Sequence, residues 1–176
     1  PDRLEPLPAM HVDTGAGLER IVAVLQGKRS NYKTDLLFPL IQTTQALTGH
    51  SDEQREANIT PYRVIADHAR TAAFLIGDGV IPGNTGRNYI CRMIIRRAAR
   101  FGGKIGLHEP FLAKVADTAI QNYGDFYGEL KQNRSMILDQ ITREEERFQR
   151  TVESGVARLE QLFEHMRQNR QNTLSG

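Results

Sequence analysis

The chain has 176 residues, with 23 Lys and Arg against 21 Asp and Glu and a formal charge of +2. Bulk charge therefore gives no argument for a nucleic-acid partner, and the question becomes where the cations cluster. At 39% hydrophobic and 25% charged residues the composition is that of an ordinary globular chain with a real core, while the lone Cys91 excludes an internal disulfide and fits a reducing compartment.

The first ten residues, PDRLEPLPAM, are proline-rich and open without methionine. They match neither a signal peptide nor a natural start, so the chain reads as a piece of something longer. No apolar run approaches the ~20 residues of a membrane helix. Residues 6–14 read as a short extended piece leading into the pair Gly15 and Gly17. Leu18, Ile21, Val22 and Leu25 then form an apolar helical stripe, closed by Gly27 at a position that favours left-handed backbone. A second helix is predicted from Leu36, Leu40, Ile41, Thr44 and Leu47, with Pro39 confined to its first turn and Gly49 at its end. The polar residues 50–59 read as a surface connection. A third helix is predicted to start with Thr60 as cap and Pro61 as first helical residue, and to carry His68 on its apolar side as a satisfied core histidine.

After the irregular GDGVIPGNTG, a fourth helix is predicted from about Thr85 to Phe101, with Ile90, Ile94, Ala98 and Phe101 on its apolar side. A fifth runs from Pro110 to Tyr123, and one long helix covers roughly 133 to 168. The long helix carries REEER, read as a solvated face, and a narrow seam interrupted by Glu145 and by Gly155, which is expected to mark a bend or a close packing contact. The interruptions argue against a coiled-coil dimer seam. Strand signals are almost absent, so the class is mainly α.

Two stretches carry chemistry. In TGRNYICRMIIRRAARFGGK, the residues Arg92, Arg96 and Arg100 recur at i, i+4, i+8, with Tyr89 among them, Arg97 at the flank, Arg87 at the entry and Lys104 just past the end. No acid occurs from Thr85 to Gly106, although like charges at this spacing repel by a few tenths of ~1 kcal/mol per pair. One reading is a face for RNA phosphates, with Tyr89 stacking or bonding to a ribose. The other is a face whose arginines pair with acids of another helix, Glu144, Glu145 and Glu146 among them. In the loop ahead, Asn84 is either a helix cap or part of an anion-binding turn. The second stretch, VDTGAGLER, lacks the third glycine of a dinucleotide fingerprint and the GK[ST] of a P-loop. It is either a plain turn into a helix or a site where Gly15 and Gly17 admit a flat ligand, Arg20 meets a phosphate and Asp13 meets an ammonium group. The five histidines are scattered without an HxxxH pair, which gives no ground for a zinc site.

VDTGAGLERIVAVLQGKRSNYKTDL, YRVIADHARTAAFLIGDGVIPGNTGRNYICRMIIRRAARFG and EEERFQRTVESG, in that order and spacing, resemble the alanyl-tRNA synthetases of class II over about residues 8 to 165. The resemblance implies two parts. Residues 1–28 would be the end of the class II catalytic domain, a strand-turn-helix remnant of its sheet. Residues 29–176 would be a helical tRNA-recognition domain with a long C-terminal helix. It implies that Asp13 holds the amino acid's ammonium group and that Gly15, Gly17 and Arg20 hold ATP. Ala16 stands where the family often has Met. It further implies that Asn84 contributes to reading a G·U wobble pair in the acceptor stem of alanine tRNA, and that Arg87, Tyr89, Arg92, Arg96, Arg97, Arg100 and Lys104 lie along that stem. PGN here replaces the more common PSN, so a nearby hydroxyl is lost. The whole enzyme would be a cytoplasmic ligase using ATP and Mg²⁺, with zinc in an editing domain outside this chain. A second G·U contact, an Asp in a YDTYGFP segment, is expected beyond Gly176. The fragment alone, without the other class II motifs, is expected to be inactive and to need no cofactor. Its partners would be the tRNA and the rest of the synthetase, with no membrane. The alternative reading is a non-catalytic helical interaction module derived from a synthetase.

Overall fold

The computed structural model describes residues 8–10, 12, 14–169 and 173. Among them eight α-helices form and no strand does. They are α1 (Leu18–Leu25), α2 (Phe38–Thr48), α3 (Asp52–Ala57), α4 (Ile59–Gly77), α5 (Gly86–Gly103), α6 (Leu112–Tyr123), α7 (Gly128–Gln132) and α8 (Arg134–Gln168). The mainly α class therefore holds. The extended piece expected ahead of the glycine pair falls partly outside the described residues, and residues 8–10, 12 and 14 carry no strand.

Helix α4 is the centre of the bundle. Its buried positions are Tyr62, Ile65, Ala66, Ala69, Ala72, Ala73 and Ile76, a helical stripe in which four alanines let neighbouring helices approach closely. Against it pack α2, α5, α6 and the first half of α8, whose Leu40, Ile95, Leu112, Val115, Ile137 and Ile141 complete one core. Full burial of an Ile or Leu side chain contributes about 1.5–3 kcal/mol, so this core outweighs any single polar contact described below.

Local chemistry sets the ends of the elements. Gly27 and Gly49 take φ of 62° and 69°, the left-handed backbone expected of them after α1 and α2. Pro39 sits in the first turn of α2. Helix α4 starts at Ile59 rather than at Pro61, with Asn58 both ending α3 and preceding α4. Pro61 is still harmless there, because the amides of a first turn have no partner within the helix. The stretch read as a connection is a helix, α3, opened by a capping box. Ser51 Oγ accepts from Gln54 N, and Gln54 Oε1 accepts from Ser51 N.

Helix α8 divides in two. Arg134 to Phe148 lies on the bundle, with Ile137, Ile141, Glu144 and Glu145 buried. From Arg150 onward the helix is exposed apart from the half-buried Met166, with Val152, Val156, Leu159 and Phe163 among the exposed residues. REEER is therefore not a solvated face: Glu144 and Glu145 are 3% and 0% exposed. Nor does Gly155 mark close packing, because a Cβ built there meets nothing within 4 Å. Among the described residues, no helix is long and apolar enough to cross a membrane.

Candidate nucleic-acid interface

Helix α5 begins after a loop whose geometry is set by small residues. Gly79 takes φ 84°, and Gly86, the first residue of α5, takes φ 54°. Gly83 lies so close to Asn88 that a Cβ would come within 2.8 Å of the Asn88 Cβ, which fits glycine rather than the hydroxyl-bearing residue at this point of the loop. The residue at the cap position is Thr85, without a side-chain cap bond. Asn84 does not cap the helix, so that reading is overturned. Its side chain is exposed, and its Oδ1 accepts from Arg92 Nη1.

The buried face of α5 is Cys91, Ile95, Ala98 and Gly102. Ile94 and Phe101 are half-buried and Ile90 is exposed, so the helix is rotated from the predicted orientation. The cause is the alanine stripe of α4: close approach selects the small residues of α5, and the larger Ile90 turns to solvent. Gly102 shows the limit of this packing, because a Cβ there would lie 2.2 Å from the Phe111 ring.

The arginines divide into two groups. Arg92 and Arg96 turn toward α8, where Glu144 Oε1 lies 3.2 Å and 2.8 Å from their Nε atoms. Arg147 Nη1 is 3.6 Å from the other oxygen of Glu144, and the Arg96 guanidinium lies over the Phe148 ring at 5.5 Å. The intramolecular pairing expected as one alternative therefore forms for these two, with the Arg92 side chain 13% and the Arg96 side chain 31% exposed. Arg87, Arg97, Arg100, Lys104 and Tyr89 are exposed. Among the described residues, Glu144 is the only acid that pairs with any of the α5 cations. The charged ends of Arg97 and Lys104 lie over the Phe101 ring at 5.9 Å and 4.9 Å, a cation–π contact that leaves both residues exposed.

At the other end of the chain, Gly17 precedes α1 in extended backbone and its carbonyl accepts from the amides of Arg20 and Ile21. The Arg20 side chain folds back over Gly17, whose Cβ would lie 3.4 Å from Arg20 Cδ, whereas Gly15 has open space around it. Gly17, Arg20, Asn31, Tyr32, Asp67 and Arg70 line a cavity of about 510 Å³. Burial pushes the Tyr32 phenol upward, whereas the hydrogen bond from His68 holds the Asp67 carboxyl low. Asp13 lies outside the described residues. Arg70 was given no role by sequence reasoning, yet it joins α1 to the bundle. Its Nη1 reaches Glu19 Oε1 at 2.9 Å and Tyr123 Oη at 3.2 Å, and Tyr123 in turn donates to Leu36 O at 2.8 Å. The signal for it was a single Arg beside the alanine stripe of α4.

Cys91 is buried, and burial raises its thiol to about 11, so it offers no thiolate at neutral pH. His68 is only half satisfied: Nδ1 meets Asp67 at 3.0 Å, and the buried Nε2 has no partner. Among the described residues, no three His, Cys, Asp or Glu side chains are grouped to hold a metal ion.

The family model described as tRNA synthetases class II (A) matches residues 1–176. The alanine–tRNA ligase of Roseiflexus sp. strain RS-1 is 43% identical over 173 residues, covering 98% of this chain and 19% of that protein. The alanine–tRNA ligase of Anaeromyxobacter dehalogenans is 48% identical over 157 residues, 89% of this chain and 17% of that protein. That of Streptococcus mutans is 42% identical over 170 residues, 97% and 19%. The chain spans about a fifth of the length of these relatives.

Proposed function

The chain belongs to the class II (A) tRNA synthetases, and from that premise we propose that it is the part of an alanine–tRNA ligase that grips the acceptor stem of alanine tRNA. The whole ligase joins alanine to ATP as an adenylate, with Mg²⁺, and then transfers it to the terminal ribose of the tRNA in the cytoplasm. In this reading residues 1–28 end the catalytic domain. Asp13 holds the ammonium group of alanine, while Gly15, Gly17 and Arg20 face ATP. Residues 29–176 hold the nucleic acid.

The observation that carries the reading is the outer face of α5. Arg97, Arg100 and Lys104 stand exposed along its length and at its end, and Arg87 is exposed in the first turn, next to the loop that carries Asn84, on a helix with no acid of its own. Guanidinium forks suit phosphate oxygens, and an A-form stem presents its backbone and ribose hydroxyls to such a face. Tyr89 is 50% exposed, and in this reading it stacks on a base or bonds to a ribose. The contacts of Arg92 and Arg96 with Glu144 favour the other four cations as the main phosphate contacts in this reading, with Asn84 as the contact that depends on the base pair.

Titration with two RNA hairpins that differ only in carrying G·U or G·C at the wobble position tests this. Arg97→Ala and Arg100→Ala should each weaken both complexes alike and lower the slope of log K against log salt by roughly 0.7–0.9. Arg96→Ala should change the slope much less. Asn84→Ala should mainly reduce the preference for G·U, by about 1–3 kcal/mol. Unchanged slopes in both Arg97→Ala and Arg100→Ala would remove the phosphate face, and equal losses on both hairpins for Asn84→Ala would remove its specificity.

A further inference from the structure

Glu144, Arg92 and Asn84 form a chain that runs from the core to the surface. Glu144 is 3% exposed on α8. Its Oε1 lies 3.2 Å from Arg92 Nε. The Arg92 side chain is 13% exposed, and its Nη1 donates to Oδ1 of the exposed Asn84. One guanidinium thus lies at ion-pair distance from a buried carboxylate, its Nε making no hydrogen bond, while its Nη1 donates to a surface amide. Glu144 also takes Arg96 Nε at 2.8 Å.

We propose that Glu144 and Arg92 are positioning residues that decide which end of the Asn84 amide meets the nucleic acid. The proposal rests on the reading of Asn84 as the base-pair contact. A carboxamide has an acceptor end and a donor end that exchange by a half-turn of its terminal torsion. An unrestrained Asn84 would offer either. With Oδ1 taken by a cation that is itself fixed by a buried carboxylate, the acceptor end is spent and the NH₂ end is left for the ligand. Asn84 then bonds to an acceptor, such as a base carbonyl oxygen, and opposes a base amino group donor to donor. Uracil and cytosine differ in this respect, a carbonyl oxygen in one standing where the other has an amino group. Orientation of the amide therefore converts a contact that tolerates both pairs into one that rejects the wrong one, which is specificity by an unfavourable alternative.

A lysine at position 92 keeps the charge, but its three donors all leave one nitrogen, so it cannot reproduce contacts that Arg92 makes from the separate positions of Nε and Nη1. The test uses the 176-residue chain, the two hairpins above, and the Asn84 side-chain NH₂ resonances of the protein without RNA. Arg92→Lys should move those resonances and reduce the G·U preference roughly tenfold, as Asn84→Ala does. It should leave the salt slope as it was, and the double variant should be no worse than either single one. Glu144→Gln should free Arg92 and Arg96 toward the RNA, raising the salt slope by roughly 0.7–0.9 per released cation while lowering the G·U preference. A brace that only held α5 against α8 would change thermal stability without moving the preference or the slope. If Asn84→Ala loses the preference and Arg92→Lys keeps it with unmoved resonances, the positioning role is overturned and the Asn84 reading stands. If Asn84→Ala keeps the preference, the reading falls and takes the positioning role with it.

Discussion

Among the described residues no cation pairs with Glu145, although its neighbour Glu144 has three within 4 Å. Its Oε2 instead accepts the amides of Phe111 and Leu112, at 3.2 and 3.0 Å, which are the first donors of α6. The side chain thus caps α6 from another helix, while Oε1 is buried without a partner. Burial raises the carboxyl to about 7, against the two amide bonds, which lower it. Because the folded value lies above the unfolded one, the associated stability is fully present below about 4.5 and is lost as pH rises to about 7. Over that window the loss is roughly 2–4 kcal/mol. Glu145→Gln keeps an oxygen for both amides and has no proton to lose. Urea unfolding should find it close to the parent at pH 4.5 and more stable at pH 8. An equal loss at both pH values would mean that the carboxyl does not titrate there. The sequence already placed Glu145 in the seam between Ile141 and Phe148. The amides it serves were not readable, because they come from a loop more than thirty residues away.

At the scale of elements, glycines separate what packing demands from what the helix merely tolerates. Gly102 lies in α5 where the Phe111 ring leaves no room, with a Cβ only 2.2 Å away. Phe111 is itself 4% exposed, so the ring has little freedom to retreat. Gly102→Ala should cost about 1–3 kcal/mol as overpacking. Gly155 is a helical glycine with open space around it, and Gly155→Ala should stabilise α8 by roughly 0.5–1 kcal/mol. Denaturant midpoints that move in opposite directions would bear out this contrast, and a Gly155→Ala loss would show a contact at the outer half of α8. Helix boundaries followed closely from the sequence pattern: about 133 to 168 against Arg134–Gln168 for α8, although its outer half meets no core, and Pro110–Tyr123 against Leu112–Tyr123 for α6. Periodicity failed at α3, which is too short to show a stripe, although its Ser51 and Gln54 carry the capping signature. It also misjudged the face of α5, where hydrophobic size pointed one way and the close approach of α4 required small residues.

For the whole molecule, the link between the ends of the chain's function is one side chain. Motif strings made both the glycine turn and the arginine-rich helix legible, because each has a local spacing. Which arginines were open and how the turn is held were not legible, since the first depends on Glu144 and the second on Arg70 and Tyr123, all arriving from elsewhere. Arg70 stands half-buried between Glu19 of α1 and Tyr123 of α6, and Tyr123 is fixed by the Leu36 carbonyl. Helix α1 has little else to hold it: Ala23 is its one buried residue, and Leu18, Val24 and Leu25 are exposed. Arg70→Gln cannot span both partners, so it should release α1 while leaving the α4–α6 core intact. Loss of a charged hydrogen bond of about 1.5–3 kcal/mol corresponds to roughly 10- to 150-fold faster local opening. Amide exchange should therefore accelerate by that order in residues 20–27 and hardly at all in residues 65–76 or 115–120. Glu19→Gln should give a smaller change in the same residues, because a glutamine oxygen can still accept from Arg70 Nη1 without the charge. Unchanged exchange in α1 for Arg70→Gln would show that the turn bearing Gly15, Gly17 and Arg20 is oriented by contacts other than this latch. Acceleration throughout the bundle would instead make Arg70 a core residue with no particular hold on that turn.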